Sequence, residues 1–152
     1  MIAQTTRDIL DRARYFHHQL QLFYEGLKDR MEERKLHLVL DYLAQHESRM
    51  EEAIKDYEEA VSEQVAATCI SFSPKQTIED VISAVKVPEK TTLYDLMRIA
   101  IHLEDCFVNL YHHAAEQIDF PEIRELFERL EEETVKDREK LASDLMNMHD
   151  LM

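Results

Sequence analysis

The sequence is poor in residues that break helices, because its 152 residues include only one glycine and three prolines. Sheet proteins use these residues in their tight turns, so their scarcity argues against a sandwich or a barrel. The residues that favour helices, namely Leu, Ala, Glu, Lys, Arg and Met, are abundant instead. A chain of this length is typical of one domain with one core. We therefore expect a single all-α domain.

Cysteine is also scarce, since only Cys69 and Cys106 are present, far apart and in no Cys-x-x-Cys pair. This spacing supports neither a disulfide framework nor a cysteine-rich metal site, and we expect both thiols to stay reduced. No stretch reaches the roughly 18 consecutive apolar residues of a membrane span, and the N-terminus lacks the basic and apolar regions of a signal peptide. The sequence therefore predicts a cytoplasmic protein.

Positive charge is the third scarcity, with 18 basic residues against 32 acidic ones and a formal net charge of −14. Such a chain repels phosphate backbones and anionic membrane surfaces, so neither nucleic acid nor a membrane is an expected partner. A glycine-rich loop for nucleotide phosphates is also missing. The partner we expect is a second copy of the chain, in a homodimer formed through an apolar helix face.

Apolar residues recur every three or four positions along four stretches, which predicts amphipathic helices at about residues 5–28, 32–65, 92–118 and 121–149. The first and third stretches open at Thr5 and Thr92, each followed three residues later by an aspartate, as in a capping box. Residues 66–91 interrupt this period with two prolines and a short helix signal that begins at Thr77. We therefore predict an antiparallel four-helix bundle made of two helical hairpins, joined by a long crossover with a short helix.

An internal repeat relates the two hairpins. A shift of 87 residues superposes the apolar positions of one hairpin on those of the other without a gap, for example Phe16 on Leu103. Part of this match is expected of any two amphipathic helices, since 87 residues are close to a whole number of turns. The match of Tyr24 with Tyr111 and the equal loop lengths go beyond that, and they indicate two hairpins of common origin.

The second hairpin carries part of a pattern for a buried metal site. A two-metal carboxylate site in a four-helix bundle takes one glutamate from each of two helices and a Glu-x-x-His pair from each of the other two. Residues three apart lie on one helix face, so a carboxylate and an imidazole at this spacing reach the same ion. Glu104 and Glu133 stand at the glutamate positions of this half, and Lys136 stands at the histidine position.

The first hairpin departs further from this pattern at the same register. His17 and His46 replace the two glutamates, and Arg49 replaces the histidine. Tyr24 and Tyr111 follow the first ligand position of each half by seven residues, and we expect both rings to line the site. The two halves together predict a buried but altered site at mid-bundle.

These features resemble the rubrerythrin branch of the ferritin-like superfamily over nearly the whole chain. The resemblance rests on Glu104-x6-Tyr111, on Leu130-x-x-Glu133-x-x-Lys136, on the repeat and on the crossover. It implies a ferritin-like fold with a site that in family members typically holds two irons and handles oxygen, peroxide or stored iron. Because this sequence departs from the pattern at four of six ligand positions, the resemblance implies a degenerate diiron site rather than a working diiron enzyme.

Two interpretations of the altered site stay open, because Glu104 falls inside an apolar stripe and a buried carboxylate needs a cation. In the first, Arg49 and Lys136 take the place of the metals and form a buried salt-bridge cluster with the glutamates. In the second, one divalent Fe, Mn or Zn ion is held by two imidazoles and two carboxylates. Its ligands are then His17, His46, Glu104 and Glu133.

The two interpretations predict different functions. The first, which we prefer at this point, predicts a ferritin-like protein that is metal-free or weakly metal-binding and does not catalyse a reaction. The second predicts a metal-binding oxidoreductase or an iron-handling protein of rubrerythrin or ferritin type with a non-standard His/Glu site. The sequence identifies no substrate, and the metal content of the purified protein separates the two functions.

Overall fold

Four long helices dominate the computed structural model, which describes residues 3–71 and 77–151. The two hairpins pair α1 with α2 and α5 with α6, and the crossover lies between α2 and α5. The elements in chain order are β1 (Ala3–Thr5), α1 (Thr6–Lys28), α2 (Arg34–Ala60), α3 (Glu63–Ala67), β2 (Cys69–Ser71), α4 (Ile78–Ala84), α5 (Leu93–Gln117) and α6 (Pro121–Leu151). This architecture confirms the predicted all-α antiparallel bundle of two hairpins, with a short helix, α4, in the crossover.

Three helices begin with a capping box, as the threonine–aspartate spacing predicts. Thr5, Thr77 and Thr92 are the N-cap residues of α1, α4 and α5. At α5, the Thr92 side chain accepts a hydrogen bond from the Asp95 backbone N–H at 3.2 Å, and the Asp95 carboxylate accepts one from the Thr92 backbone N–H at 2.9 Å. These bonds satisfy backbone donors that the first helical turn leaves without partners. They also lower the pKa of the Asp95 carboxyl, chiefly through the Thr92 backbone N–H.

Removing one of these caps should weaken the bundle measurably. We expect Thr92→Ala to lower the free energy of unfolding by about 1 kcal/mol, because a backbone donor of α5 loses its partner. Urea unfolding followed by circular dichroism measures this change. Ser143→Ala, at an exposed position inside α6, is the matched control, and its effect should stay within about 0.5 kcal/mol. Equal effects of the two changes would contradict a stabilising cap at Thr92.

Helix α2 is shorter than predicted. The sequence pattern continues to residue 65, but α2 ends at Ala60 and a separate short helix, α3, follows. Val61 has extended backbone angles (φ −73°, ψ 139°), and the Ser62 side chain then accepts a hydrogen bond from the Val65 backbone N–H. A serine that caps a new helix competes with continuation of the old one, and this explains the break.

A two-stranded antiparallel pair joins the N-terminus to the crossover. In it, Gln4 lies opposite Ile70 and Thr5 lies opposite Cys69. These strands are not predicted from the sequence, since three residues are too few to show an alternating pattern. Their pairing places the crossover beside the start of α1.

The core lies between the four long helices, and several of its largest side chains, among them Tyr24, Phe107, Tyr111 and Phe127, are at most 1% exposed. Burying a large apolar side chain contributes about 1.5 to 3 kcal/mol, so this layer accounts for much of the stability of the bundle. Polar contacts join the helices at its edge, for example a 2.6 Å hydrogen bond from the Tyr42 hydroxyl to Asp144 on α6. Of the helices described, none is both long and apolar enough to cross a membrane.

Candidate metal centre

Ionisable side chains from all four long helices meet in the middle of this apolar core. Glu104 is 1% exposed, His17 and Glu47 are 2% exposed, and His46 is 6% exposed, while Asp137 is half-buried beside them. The group draws His17 from α1, His46 and Glu47 from α2, Glu104 from α5 and Asp137 from α6. Buried ionisable groups are costly unless they are paired, so their mutual contacts decide what this cluster can do.

His17 and Glu47 form a hydrogen-bonded pair. The distance from His17 Nδ1 to Glu47 Oε2 is 2.6 Å, and Nδ1–H is the donor because a carboxylate only accepts. The imidazole also stacks on Phe107, with ring centroids 3.7 Å apart and planes 6° apart. These two contacts fix the orientation of the His17 ring and hold the Glu47 carboxylate in place.

His46 lies between two carboxylates from the other hairpin. Its Nε2 is 3.1 Å from Asp137 Oδ2 and 3.6 Å from Glu104 Oε2. These contacts are close in distance but lack the alignment of hydrogen bonds. Among the described residues, no hydrogen-bond partner exists for His46 Nε2, for Asp137 Oδ2 or for either oxygen of Glu104. One ligand atom each from His46, Glu47 and Glu104 lies within 4.8 Å of the others, which is close enough for one metal ion to contact all three.

The charges in this cluster shift the pKa values of its members. Burial alone would lower the pKa of His46, but Asp137, Glu104 and Glu47 outweigh it and raise this pKa to about 10. Burial raises the pKa of Glu104, and the charge of Glu47 adds to that rise while His46 opposes it. Burial also opposes ionisation of Asp137, yet His46 brings the pKa of Asp137 below its ordinary value. The cluster therefore favours additional positive charge, which protons or a metal ion can supply.

Two buried tyrosines are close enough to Glu47 and Glu104 for the charges of these carboxylates to shift their pKa values. Tyr24 and Tyr111 are each 1% exposed. Burial first, and then the charges of Glu47 and Glu104, raise the pKa of both phenols, so both hydroxyls stay protonated. The Tyr111 hydroxyl has no hydrogen-bond partner in the part of the chain that the structure describes.

Cys106 is not among the residues of this cluster. Cys106 is a free, half-buried thiol whose Sγ donates to the His102 carbonyl at 3.5 Å. Burial raises its pKa, so the thiol form dominates. The side chain of Cys69 lies outside the part of the chain that the structure describes.

Glu133 does not reach the cluster, in contrast to the sequence prediction. His17, His46 and Glu104 do come together, whereas Glu133 is exposed on α6. Its carboxylate lies beside the Tyr57 hydroxyl, where it adds to the effect of burial and helps to raise the pKa of Tyr57 to about 12. The predicted convergence of four side chains thus holds for three of them.

Arg49 and Lys136 are also exposed, so the predicted buried salt-bridge cluster lacks its cations. Arg49 follows the buried Leu43 by six residues, and Lys136 follows the buried Leu130 by six. Six residues at 100° each place a side chain about 120° from the starting position, which is outside the buried stripe. Neither cation forms an ion pair with Glu104 in the described structure.

Glu47 and Asp137 belong to the cluster but are not predicted from the sequence pattern. Shifting the sequence by 87 residues matches Glu47 with Thr134 and Met50 with Asp137. These positions are one residue later than those to which the Glu-x-x-His pattern was assigned. Spacing from core leucines is the signal that identifies them, because Glu47 follows Leu43 by four residues and Asp137 follows Leu130 by seven.

The donors present do not fit a pair of metal ions. A two-metal site of this kind uses four carboxylates and two imidazoles from the four helices. Thr134 occupies one carboxylate position, and its hydroxyl donates to the Leu130 carbonyl at 2.6 Å. Met50 occupies a histidine position, and the His17 Nδ1 proton is bonded to Glu47. The remaining donors, His46, Glu47, Glu104 and the nearby Asp137, suit a single ion.

No known family's sequence profile matches the chain, and no curated protein matches its sequence. A solved structure does match: a protein of Thermotoga maritima described as a ferritin-like diiron-carboxylate protein. The TM-score is 0.59 at 14% sequence identity, and the match covers 97% of this chain and 96% of that one. At this identity the likeness shows the fold alone. The chain therefore has a ferritin-like fold.

Proposed function

We propose that this chain binds one divalent transition-metal ion inside its bundle, with His46, Glu47 and Glu104 as ligands. The proposal rests chiefly on the environment of Glu104. This side chain is a carboxylate 1% exposed, and neither of its oxygens has a hydrogen-bond partner among the described residues. Such a group costs several kcal/mol unless a cation compensates it. The two cations expected from the sequence, Arg49 and Lys136, are at the surface, so the compensation comes from protons on His46 and Glu104 or from a metal ion that displaces them.

Each residue of the cluster has a separate part in this proposal. His46 Nε2 and the carboxylates of Glu47 and Glu104 contact the ion, and Asp137 is available as a fourth ligand beside His46. His17 holds Glu47 through its Nδ1–H rather than contacting the ion through that atom. One imidazole with two or three carboxylates suits Fe, Mn or Zn. An ion of this class supplies Lewis acidity when it is bound.

Metal titration of paired variants tests the proposal. The purified chain is first treated with a chelator and then titrated with Mn²⁺, Zn²⁺ or, without oxygen, Fe²⁺. We expect one equivalent to bind per chain and to stabilise it by about 2.7 kcal/mol at 100 times the dissociation constant. Glu104→Gln keeps the shape of the side chain but should weaken binding by more than about tenfold, because it removes a charged ligand.

Glu133→Gln is the matched control, since it makes the same replacement of one carboxylate oxygen by NH2 at an exposed glutamate of the same bundle. Binding should stay within about twofold of the unchanged protein, as expected for a surface change. A loss of binding in both variants would place Glu133 among the ligands, as the sequence pattern predicted, whereas unchanged binding in Glu104→Gln would overturn the proposal. Failure of all three metals to bind the unchanged chain would favour the metal-free interpretation.

A further inference from the structure

A cavity separate from the metal cluster lies between α1, the crossover helix α4 and α5. Its volume is about 920 Å³, which is at the upper end of the range for pockets that bind drug-sized molecules. The apolar part of its wall comes from all three helices and includes Phe16, Ile78, Val81 and Leu110. A wall of this kind takes up the apolar body of a small organic molecule.

Among the charged residues that line the cavity, Arg12 stands out because its hydrogen bonding is incomplete. Its Nε atom is buried and has no hydrogen-bond partner among the described residues. The guanidinium donates one long hydrogen bond, from Nη2 to Gln4 Oε1 at 3.4 Å, and it forms no ion pair with a carboxylate of the described chain. The Asp8 carboxylate, one turn earlier, accepts the Thr5 backbone N–H at 2.9 Å in the helix cap. The Thr5 hydrogen bonds and, less strongly, the charge of Arg12 lower the pKa of Asp8, so Arg12 interacts with this carboxylate without forming a close ion pair. Such a half-buried arginine is unexpected in a chain with 14 excess negative charges.

The acidic residues that line the cavity are already engaged with other groups. Asp11 forms an ion pair at 3.8 Å with Arg14, a residue that does not line the cavity. Glu79 accepts a hydrogen bond from the Tyr15 hydroxyl at 3.3 Å, and Glu116 contacts His112 Nε2 at 3.0 Å. The guanidinium of Arg12 therefore keeps donors for an added anion, and its planar fork matches a carboxylate in particular.

We infer that this cavity binds a small organic carboxylate, with the anionic group on Arg12 and the apolar body against Phe16, Ile78, Val81 and Leu110. The inference does not depend on the metal ion, because none of these residues belongs to the metal cluster. One path from this cavity to the cluster runs through stacked aromatic rings. Phe16 stacks on Phe107 at 4.3 Å, and Phe107 stacks on His17.

Three probes of one shape and different charge test the inference by calorimetry on the purified full chain at neutral pH. Naphthoate carries an anionic group, naphthylmethanol is neutral and naphthylmethylamine is cationic. We expect one naphthoate to bind per chain, at least about tenfold more tightly than either of the others, as a charge-assisted contact to Arg12 requires. Tightest binding of the amine, or no saturable binding of naphthoate, would overturn the inference.

Two variants and a control locate the binding. Arg12→Gln should remove the advantage of naphthoate over naphthylmethanol, while Arg30→Gln, at an exposed arginine after α1, should leave it unchanged. Asn109→Trp places a large ring into the cavity from an exposed position of α5, so it should block all three probes without disturbing the core. Unchanged naphthoate affinity in Arg12→Gln or in Asn109→Trp would rule out this cavity as its site. The second variant decides the question even if the first one fails to fold.

Discussion

The affinity for the metal ion should fall by at least about tenfold for each unit that the pH is lowered from about 8 to about 6. His46 must lose its proton to bind an ion, and the neighbouring carboxylates raise its pKa to about 10. His46 is therefore protonated across this range, and each ion that binds displaces that proton. The pKa of Glu104 is also raised, so a second displaced proton brings the slope toward about 100-fold per unit.

Competition titrations with a chelator of known proton affinity measure this slope, and an indicator dye measures the protons released. His112→Gln is the control, because His112 is an exposed histidine whose pKa is raised by Glu131 and whose contacts are with Glu131 and Glu116 rather than with the proposed ligands. This variant should keep the slope of the unchanged protein. An affinity that does not change between about pH 6 and about pH 8 would mean that the ion does not use His46.

Phe107→Ala should lower the free energy of unfolding by about 3 to 5 kcal/mol. Phe107 is 0% exposed, and its ring lies between Phe16 and His17, with centroids 4.3 Å and 3.7 Å away. The change leaves a cavity in the centre of the bundle and removes the surface that orients the His17 ring. Urea unfolding followed by circular dichroism measures the loss.

Phe120→Ala is the matched control, since the Phe120 side chain is 54% exposed in the loop before α6. Its effect should stay within about 0.5 kcal/mol. A loss below about 1.5 kcal/mol in Phe107→Ala would show that the neighbouring side chains close the cavity, and it would contradict a rigid aromatic stack beside the cluster.

The helices could be predicted from the sequence because their signals are local. The period of the core residues and the threonine–aspartate spacing at Thr5, Thr77 and Thr92 depend on neighbours a few residues away. The strand pair could not be predicted in this way, because Gln4 and Ile70 meet only after the crossover has folded back. The end of α2 depends on a competition at Ser62, which can either continue α2 or act as the N-cap of α3.

The site could be predicted only in part, for a geometric reason. His17, His46 and Glu104 were identified, whereas Glu47 and Asp137 were missed because a motif was matched one residue too early. One residue turns a helix by 100°, and in α6 this small offset exchanges inward side chains for the exposed Glu133 and Lys136, although in α2 both His46 and Glu47 are buried. Distance from the nearest core leucine is the better guide in a sequence whose motif has changed, because packing fixes the inward face even where the ligands differ.

Both hairpins contribute residues to the cluster, and this affects the rate at which a bound ion would leave. His46 and Glu47 belong to the first hairpin, and Glu104 and Asp137 belong to the second. An ion held by both therefore cross-links two units that the chain otherwise joins through the crossover. Such an ion leaves when the ligands of one hairpin withdraw from it, so its residence time depends on local opening of the bundle as well as on the strength of each bond. A bundle that opens slowly then retains its ion long after the free metal around it is gone.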